Sequence, residues 1–561
     1  MKIKVQKILL ISLVLVIVLL GGGYAGYRGY KSVRQARLVK QAKEYLTKSD
    51  PEPRKALLCL QRALRYNNRD VEACRMMAQL AEAGRSPAAL VWRSRVVELS
   101  PDSTDDRLAL AQTAMAARDY VSATNALEGV NAAGKTTAAF HNVAGAVAAA
   151  ANQGAQAEAH FLEAARLEPQ NAVLQLNLAV VRLHGSNTPA LAEARSSLSR
   201  ISTNPTNSTL RCQALRELVV DSLRNKNAEA ALAMSRQLLQ ETNSVFRDRL
   251  LRLEVLRATK NAEYKAALAT FQNEASTNLG SVAELGMWQM ANTTPAETLS
   301  WLRTLSPNIQ TNVAVAMIST ECYTALRDWR GLQASLENQN WDELEFIRHA
   351  FKARALRGQE LAVASKGEWE LALKIANYQK GSLVMLLRLA AAWNWQSEGE
   401  EILWSIVNRY PAEKWAFESL SRALLIGGRT RPLMMLYGQE LKRSPSDLGI
   451  KNNLAMTAFL LDAKELNPHD LARQVYEKSP TNASFISTYA FSLHLLNRND
   501  EALKLMEQLK PKDLEDPSTA GYYGLILKAT GNRTKAKSYL ASAASLLPEE
   551  KKLFETAKAG L

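Results

Sequence analysis

The chain has 561 residues, more than one ordinary globular core holds, so several domains or a linear array of small units are expected. Glycine (26 residues) and proline (17 residues) are scarce, which favours long helices over strands. The net charge of +15 is concentrated near the amino terminus, where residues 1–55 contain 12 Lys and Arg against 3 Asp and Glu. The rest of the chain lacks the basic stripe of a nucleic-acid-binding protein, so no nucleic-acid partner is predicted.

The first predicted element is an apolar segment at the amino terminus. Ile8 to Tyr27 is a run of twenty residues without a charge, long enough to cross a hydrocarbon core of about 30 Å as a helix. A signal peptide cleaved near Ala25 is the alternative, because the strongly apolar part, Ile8 to Leu20, has only thirteen residues. We favour a single transmembrane anchor over residues 1–27.

Residues 28–49 are predicted to form a basic juxtamembrane helix. Its basic residues recur about every three positions, which suits contact with anionic lipid headgroups, although a solvated helix face is the alternative. The candidate headgroup contacts are Arg28, Lys31, Arg34 and Arg37.

Two signals disagree on the orientation of this span. The charge balance places the body in the cytoplasm. A very short basic amino terminus before an apolar run is instead typical of an export signal. We predict a single-pass protein of the inner (cytoplasmic) membrane with an extracytoplasmic body.

Residues 50–205 contain a repeated helical hairpin. In the segment from Phe140 to Pro169, FHNVAGAVAAAANQGAQAEAHFLEAARLEP, two helices flank a short polar turn, and small residues lie where the helices must touch. Ala157, Ala123 and Ala89 are successively 34 residues apart. One such hairpin has too little apolar surface to be stable alone, so copies are expected to stack.

The pattern weakens over residues 206–440 and returns over residues 441–561. Nine of the ten tryptophans lie between Trp288 and Trp415. We interpret them as large side chains that fill the space between the helices of divergent hairpins. An aromatic surface that binds a ligand is the alternative. Ala502 and Ala536 are again 34 residues apart, and the final PEEKKLFETAKAGL is typical of a polar capping helix.

This pattern resembles the tetratricopeptide repeat family. The matching positions of the last unit are Gly524, Gly531, Ala536, Leu540, Ala543 and Pro548. The resemblance implies an all-α, right-handed superhelical solenoid of hairpins whose first helices line a concave groove. It also implies that asparagines early in a first helix hydrogen-bond the backbone of an extended peptide, although solvated or capping side chains are the alternative. The candidates, in HNVAG, LNLAV and NNLAM, are Asn142, Asn177 and Asn453.

One motif points to a different activity. GVNAAGKT, from Gly129 to Thr136, matches the G-x-x-x-x-G-K-[ST] phosphate loop of ATPases. That loop requires a buried strand before it, whereas the preceding TNALE is polar and the repeat register places the motif in a turn. The LVVD at Leu218 to Asp221 lies inside a helical pattern. An ATPase therefore remains only the alternative function.

No other catalytic or metal-binding pattern is found. The six histidines form no HExxH motif and no other ligand spacing. The four cysteines, Cys59, Cys74, Cys212 and Cys322, form no C-x-x-C pair and are interpreted as buried apolar side chains. We predict no metal, no cofactor and no enzymatic activity.

The predicted function is that of a membrane-anchored scaffold that binds protein or peptide ligands. A single anchor followed by repeats also resembles bacterial envelope proteins of the lipopolysaccharide-assembly regulator type. Those proteins end in a paired-cysteine metal domain, whereas Cys322 is the last cysteine here. This resemblance implies a role in cell-envelope assembly, secretion or polysaccharide-related complexes. A structural spacer without a specific ligand is a further alternative.

Overall fold

The computed structural model describes residues 29–185, 188–543 and 547–561. Every regular element in these ranges is helical, which confirms the predicted all-α class. The chain separates into two compact units. The first comprises the described residues up to Thr293 together with Thr304–Ser306, and the second comprises Thr294–Arg303 together with Pro307–Leu561.

The first unit is built from helices α1 to α15. Helix α1 covers residues 29–47. The others are α2 (Pro53–Tyr66), α3 (Val71–Ala83), α4 (Ala88–Leu99), α5 (Thr104–Ala116), α6 (Tyr120–Glu128), α7 (Ala138–Ala150), α8 (Gly154–Leu167), α9 (Ala172–Leu183), α10 (Thr188–Ser202), α11 (Ser208–Arg224), α12 (Ala228–Gln240), α13 (Phe246–Ala258), α14 (Tyr264–Ala275) and α15 (Leu279–Asn292).

The second unit is built from helices α16 to α32. They are α16 (Pro295–Leu302), α17 (Pro307–Gln310), α18 (Val313–Leu326), α19 (Trp329–Leu336), α20 (Glu345–Gly358), α21 (Ala362–Ile375), α22 (Lys380–Ala392), α23 (Gln396–Arg409), α24 (Lys414–Ile426), α25 (Thr430–Arg443), α26 (Leu448–Leu460), α27 (Pro468–Lys478), α28 (Ala483–Leu495), α29 (Asn499–Met506), α30 (Pro517–Ala529), α31 (Arg533–Ser542) and α32 (Pro548–Ala559).

The hairpin of α7 and α8 shows why this sequence folds locally. Thr137 starts α7 by accepting a hydrogen bond on its side chain, as an N-cap residue does. Ala157 on α8 is fully buried, and a Cβ at Gly145 on α7 would lie only 2.8 Å from the Phe161 ring of α8. The small residues therefore let the two helices approach closely, as the sequence predicted.

The turn inside most hairpins has a recurring backbone conformation. Asn152, for example, has φ of 59°, and the next N–H, of Gln153, donates to the carbonyl oxygen of Ala148 at 2.9 Å. This is a Schellman-type helix end. The residues with positive φ in these turns are Arg85, Arg118, Asn152, Lys226, Lys260, Arg327, Glu360, Asn394, Gly428, Asp462, Asn497 and Gly531. Most successive members are 33–35 residues apart, so the hairpin period continues through residues 206–440.

Arginine–carboxylate pairs join neighbouring hairpins of the first unit. Arg75 on α3 donates two hydrogen bonds, of 2.7 and 2.5 Å, to the buried carboxylate of Asp106 on α5. Arg216 on α11 makes the same fork, of 2.6 and 2.9 Å, with buried Asp248 on α13. The two hydrogen bonds from a guanidinium offset the desolvation cost of a buried carboxylate, and they form only in one relative orientation. These pairs therefore help set how one hairpin stacks on the next.

The predicted membrane anchor has no support in the described structure. No helix in the described ranges is both long and apolar enough to cross a bilayer. Apart from α1, the longest, α11, has 17 residues, and α1 carries Lys or Arg at five positions. The segment 1–27 and Arg28 lie outside the described residues. The predicted inner-membrane location is therefore contradicted and is not retained.

Helix α1, predicted as a juxtamembrane helix, is packed into the first hairpin. Its buried Val39 and Ala42 belong to one apolar cluster with Ala56, Leu60 and Ala63 of α2. These three α2 residues are fully buried in that contact with α1. Helix α1 is therefore the first helix of this hairpin.

Candidate functional site

The two amino-terminal asparagines predicted to bind peptide lie side by side. Asn142 is on α7 and Asn177 is on α9, the first helices of neighbouring hairpins, and both are half-buried. The Nδ2 of Asn177 donates to the Oδ1 of Asn142 at 2.8 Å. Among the described residues, neither the Nδ2 of Asn142 nor the Oδ1 of Asn177 makes a further hydrogen bond. The pair therefore presents one free donor group and one free acceptor.

The third predicted asparagine, Asn453, belongs to the second unit and is exposed on α26. The hydroxyl of Tyr437 on α25 is hydrogen-bonded to the Asn453 side chain and lies 3.0 Å from the Ser421 hydroxyl. Burial raises the pKa of Tyr437, so this hydroxyl stays protonated near neutral pH. Asn453 and Tyr437 both line a cavity of about 280 Å³.

This cavity, the carboxy-terminal cavity, is lined mainly by amide and hydroxyl side chains. Three consecutive first helices, α26, α28 and α30, supply most of the lining, and α24, α25 and the terminal segment supply the rest. The lining residues are Leu425, Leu433, Tyr437, Asn452, Asn453, Met456, Thr457, Ser484, Ser487, Thr488, Asp516, Ser518, Thr519, Tyr522, Leu547 and Glu550.

One lining residue has a buried hydrogen-bond acceptor without a partner. Asn452 is 6% exposed, and its Oδ1 has no hydrogen-bond partner in the described structure. A buried polar atom without a partner costs roughly 1–3 kcal/mol, so such an atom calls for an explanation. Ser487, also buried, and the exposed Ser484 add hydroxyls to the same cavity.

The carboxy-terminal helix α32 closes one side of this cavity. The Tyr522 hydroxyl donates to the Oε1 of Glu550 at 2.5 Å, and burial holds the pKa of Tyr522 well above its ordinary range. The Phe554 ring packs where a Cβ at Gly521 would lie, 2.4 Å from the ring. The hydroxyl of Thr430 on α25 also donates to the Glu549 carboxylate. The predicted capping helix therefore forms a wall of the cavity as well as the end of the stack.

The lining favours a neutral polar ligand. No lysine or arginine lines the cavity. Both carboxylates are already engaged, because Asp516 accepts hydrogen bonds from the N–H and hydroxyl of Thr519 and Glu550 accepts one from Tyr522. Amides and hydroxyls that both donate and accept match the polar groups of a peptide backbone.

The phosphate-loop motif does not form a phosphate loop. Gly129 ends α6, and residues Gly134–Thr136 form a single 3₁₀ turn before α7. The Nζ of Lys135 donates to the backbone carbonyl oxygen of Glu128 at 3.0 Å, and the Arg107 guanidinium fills the space above Gly129. No strand delivers the loop, so the geometry required by the ATPase alternative is missing here.

In the tryptophan-rich region, three tryptophans form an aromatic cage that is occupied by an arginine of the same chain. The Arg354 guanidinium carbon lies 5.3, 5.7 and 5.9 Å from the ring centroids of Trp329, Trp393 and Trp395. Trp369 is buried and stacks edge-on against Trp395 at 5.4 Å. These contacts agree with the interpretation of the tryptophans as space-filling side chains, because cation–π packing here is internal.

The histidines and cysteines form no recognisable site in the part of the chain that the structure describes. No group of three or more His, Cys, Asp or Glu side chains there could hold a metal ion. All four cysteines are free thiols, and Cys74, Cys212 and Cys322 are buried, as predicted for apolar side chains.

Several lining residues were not predicted from the sequence. Asn452 was not predicted although it begins the NNLAM segment, whereas Tyr437, Ser484 and Ser487 belong to no motif and only their polarity could have identified them. Asn452 and Asn453 are adjacent in NNLAM, yet one is buried and the other exposed. Adjacent helical residues point about 100° apart, and the packing of the neighbouring hairpins decides which of the two is buried.

Comparison with known proteins does not assign a family. No protein-family model matches the chain, and no curated protein matches it. Two solved structures align over most of the chain, "Crystal structure of APC/C hetero-tetramer Cut9-Hcn1" (12% identity, 92% of this chain and 96% of that chain, TM-score 0.28) and "Structure of Naa15/Naa10 bound to HypK-THB" (10%, 94% and 96%, 0.27). Both TM-scores are too low to support an inference, so the fold assignment rests on the helices and turns described above.

Proposed function

We propose that this protein is a non-enzymatic scaffold that binds extended segments of partner proteins through polar surfaces on the first helices of its hairpins. The observation that carries the proposal is the carboxy-terminal cavity, where three consecutive first helices present amides and hydroxyls around the unpartnered oxygen of buried Asn452. A peptide N–H is the simplest donor that would satisfy this oxygen.

The size of the cavity supports a short extended segment as the ligand. A volume of about 280 Å³ lies just below the usual range of ligand pockets, which is roughly 300–1,000 Å³. A folded domain would need a much larger surface. An extended chain presents alternating donors and acceptors, and the hydroxyls of Ser484 and Ser487 and the amide of Asn453 can pair with both.

The asparagine pair in the first unit supports a second contact of the same kind. The free Nδ2 of Asn142 and the free Oδ1 of Asn177 together match one donor and one acceptor of a peptide backbone. Because the two side chains already hold each other, less conformational entropy is lost when a ligand binds.

The proposal does not include the predicted envelope role, since that role depended on the membrane anchor. The ATPase alternative lacks its phosphate loop, because Lys135 is engaged by the Glu128 carbonyl oxygen. The structural-spacer alternative gives no account of the unpartnered Asn452 oxygen in a polar cavity.

The decisive experiment selects peptides from a displayed random library on the full chain and measures their dissociation constants. Ser484→Trp tests the cavity, because Ser484 is exposed at the lining and an indole there would fill the space without disturbing buried contacts. Ser446→Trp is the matched control, since Ser446 is exposed in the turn before α26 and does not line the cavity.

We expect an enriched sequence motif whose binding is weakened at least about tenfold, or about 1.4 kcal/mol, by Ser484→Trp and is unchanged by Ser446→Trp. Failure to enrich any motif would contradict the proposal. Equal loss of binding in both variants would also contradict it, because the cavity would then have no special role.

A further inference from the structure

A second cavity, in the first unit, is lined mainly by basic side chains and not by amides and hydroxyls. Helices α1 and α2 border an open surface pocket of about 580 Å³ that is lined by four exposed arginines, two from each helix. These are Arg34 and Arg37 of α1 and Arg62 and Arg65 of α2, and we term this site the arginine pocket. The other lining residues are Lys31, Leu38, Gln41 and Tyr66, so none of the described carboxylates lines the pocket.

The four guanidinium groups lack ion pairs in the described structure. Arg34 bonds only the Tyr30 hydroxyl, at 3.0 Å, and no carboxylate lies within salt-bridge distance of the other three. Elsewhere in the same unit arginines are commonly paired, as Arg75 is with Asp106. Four arginines without an ion pair therefore line one cavity.

Of the carboxylates in and around this hairpin, Glu44 and Asp50 do not line the pocket, and three others interact with other residues. Asp70 accepts a hydrogen bond from Gln35 at 2.6 Å and also caps α3. Glu52 pairs with Lys48 and Lys55, and Glu72 pairs with Lys43 at 3.8 Å. None of these acids lines the pocket, so its positive charge is not neutralised from within the hairpin.

The dipole of α2 slightly disfavours an anion in the pocket, but it does not cancel the positive charge of the arginines. Arg65 lies in the last turn of α2, where the helix dipole contributes roughly half a negative charge. Four full guanidinium charges outweigh that partial charge. Guanidinium groups also present fixed pairs of N–H donors that match the oxygens of phosphate groups.

We propose that the arginine pocket binds a phosphate-bearing anion, an activity separate from the peptide binding proposed above. The phosphate belongs either to a soluble polyphosphate or to a phospholipid headgroup, and both offer the same oxygens to Arg34, Arg37, Arg62 and Arg65. The headgroup contact predicted from α1 alone thus becomes a two-helix site in which α2 supplies half of the charge.

The test measures binding of inorganic tripolyphosphate to the full chain by titration calorimetry at low ionic strength. The test variant is Arg62→Glu with Arg65→Glu. The matched control is Arg54→Glu with Arg69→Glu, two exposed arginines at either end of α2 that do not line the pocket. Both double variants change the net charge equally, so a difference between them reports the pocket and not the overall charge.

We expect the Arg62/Arg65 variant to bind tripolyphosphate at least about tenfold more weakly than wild type, and the control to stay within about twofold. Arg62→Gln with Arg65→Gln should show the same loss, and unchanged helical circular dichroism should establish that each variant is folded. Added salt should weaken wild-type binding, because exposed charges are screened.

Two further arms identify the ligand. Vesicles of phosphatidylcholine, with and without phosphatidylglycerol, replace tripolyphosphate and show whether a lipid phosphate also uses the pocket. Poly-glutamate replaces it to test carboxylates. Equal loss in test and control variants, no measurable binding of any phosphate, or stronger binding of poly-glutamate than of tripolyphosphate would each overturn the proposal.

Discussion

Asn177 donates its side-chain amide to the side-chain oxygen of Asn142 at 2.8 Å, linking α7 to α9 one repeat further along the chain. The bond holds both amide planes in one arrangement before any ligand is present. The bond uses the Nδ2 of Asn177 and the Oδ1 of Asn142. The Nδ2 of Asn142 and the Oδ1 of Asn177 are left to bind a ligand. The pair is therefore better prepared for a peptide than two independent solvated asparagines would be.

Replacing both asparagines, as Asn142→Ala with Asn177→Ala, should weaken peptide binding roughly 10- to 100-fold, since each lost hydrogen bond is worth about 1 kcal/mol. Peptides for this measurement are best selected on the Ser484→Trp background, where the carboxy-terminal cavity is blocked. Gln156→Ala, an exposed amide on α8, is the control and should bind normally. Unchanged binding in the double variant would remove this pair from the proposed contact surface.

Gly145→Ala should destabilise the first unit. The new Cβ would lie 2.8 Å from the Phe161 ring, and overpacking of this kind typically costs about 1–3 kcal/mol. Gly154→Ala provides the control, because nothing lies within 4 Å of its Cβ position at the start of α8. Alanine is the better helix former, so Gly154→Ala should raise the melting temperature slightly while Gly145→Ala lowers it. Similar effects at the two positions would contradict the close helix contact.

The stability of the first unit should depend on Asp106 at low pH. Burial raises the pKa of Asp106, but hydrogen bonds from Arg75, Ser100 and Ser103 outweigh burial and hold the pKa at about 2, below its ordinary value of 3.8. A depressed folded-state pKa stabilises the fold above about pH 4, and this stabilisation, about 2 kcal/mol, is lost as the pH falls through 2.

Thermal unfolding of wild type and Asp106→Asn at neutral pH and near pH 2 measures this contribution. The variant should melt lower at neutral pH, and the gap should shrink at the acidic end, where Asp106 becomes protonated. A gap that stays constant across this range would mean that the Asp106 charge is not the source of the effect.

Phe554→Ala should loosen the carboxy-terminal helix α32. The ring fills the space beside Gly521 and is buried against Tyr522, with ring centroids 5.2 Å apart. Truncating a buried Phe costs roughly 3–5 kcal/mol. Amide hydrogen exchange should therefore speed up in α32 and in facing parts of α30, while Lys552→Ala, an exposed change on the same helix, should leave it unaltered. Faster exchange throughout the second unit would instead indicate that α32 is needed for the whole stack.

Lys135→Ala should not alter any nucleotide response. The Lys135 amine donates to the Glu128 carbonyl oxygen in a solvent-exposed turn, and no strand precedes it. Any change in melting temperature on addition of Mg-ATP should therefore be the same in wild type and in Lys135→Ala. A rise in melting temperature that disappears in Lys135→Ala would show that a nucleotide site exists in spite of this geometry.

The turns between the two helices of a hairpin were only partly predictable from their own residues. Glycine is the usual residue at a left-handed helix end, and a search for glycine finds only Gly428 and Gly531 among these turns. Most of the others are Arg, Lys, Glu or Asn, for example Lys226 and Lys260. Arg, Lys and Glu are weak turn signals by themselves, so the pattern was less distinct over residues 206–440. The backbone adopts this conformation because the two packed helices require it.

The amino-acid sequence by itself determined the helices, their pairing into hairpins and the small residues at the contacts, such as Gly145 facing Phe161. These features depend on residues within about one repeat of each other, so spacing and side-chain size are sufficient to predict them. Tertiary structure alone decided the cavities. The carboxy-terminal cavity joins Leu425 to Glu550, and the arginine pocket joins α1 to α2. Which polar groups face one cavity depends on how the helices pack, because a small rotation of a helix moves a side chain from solvent to the interior.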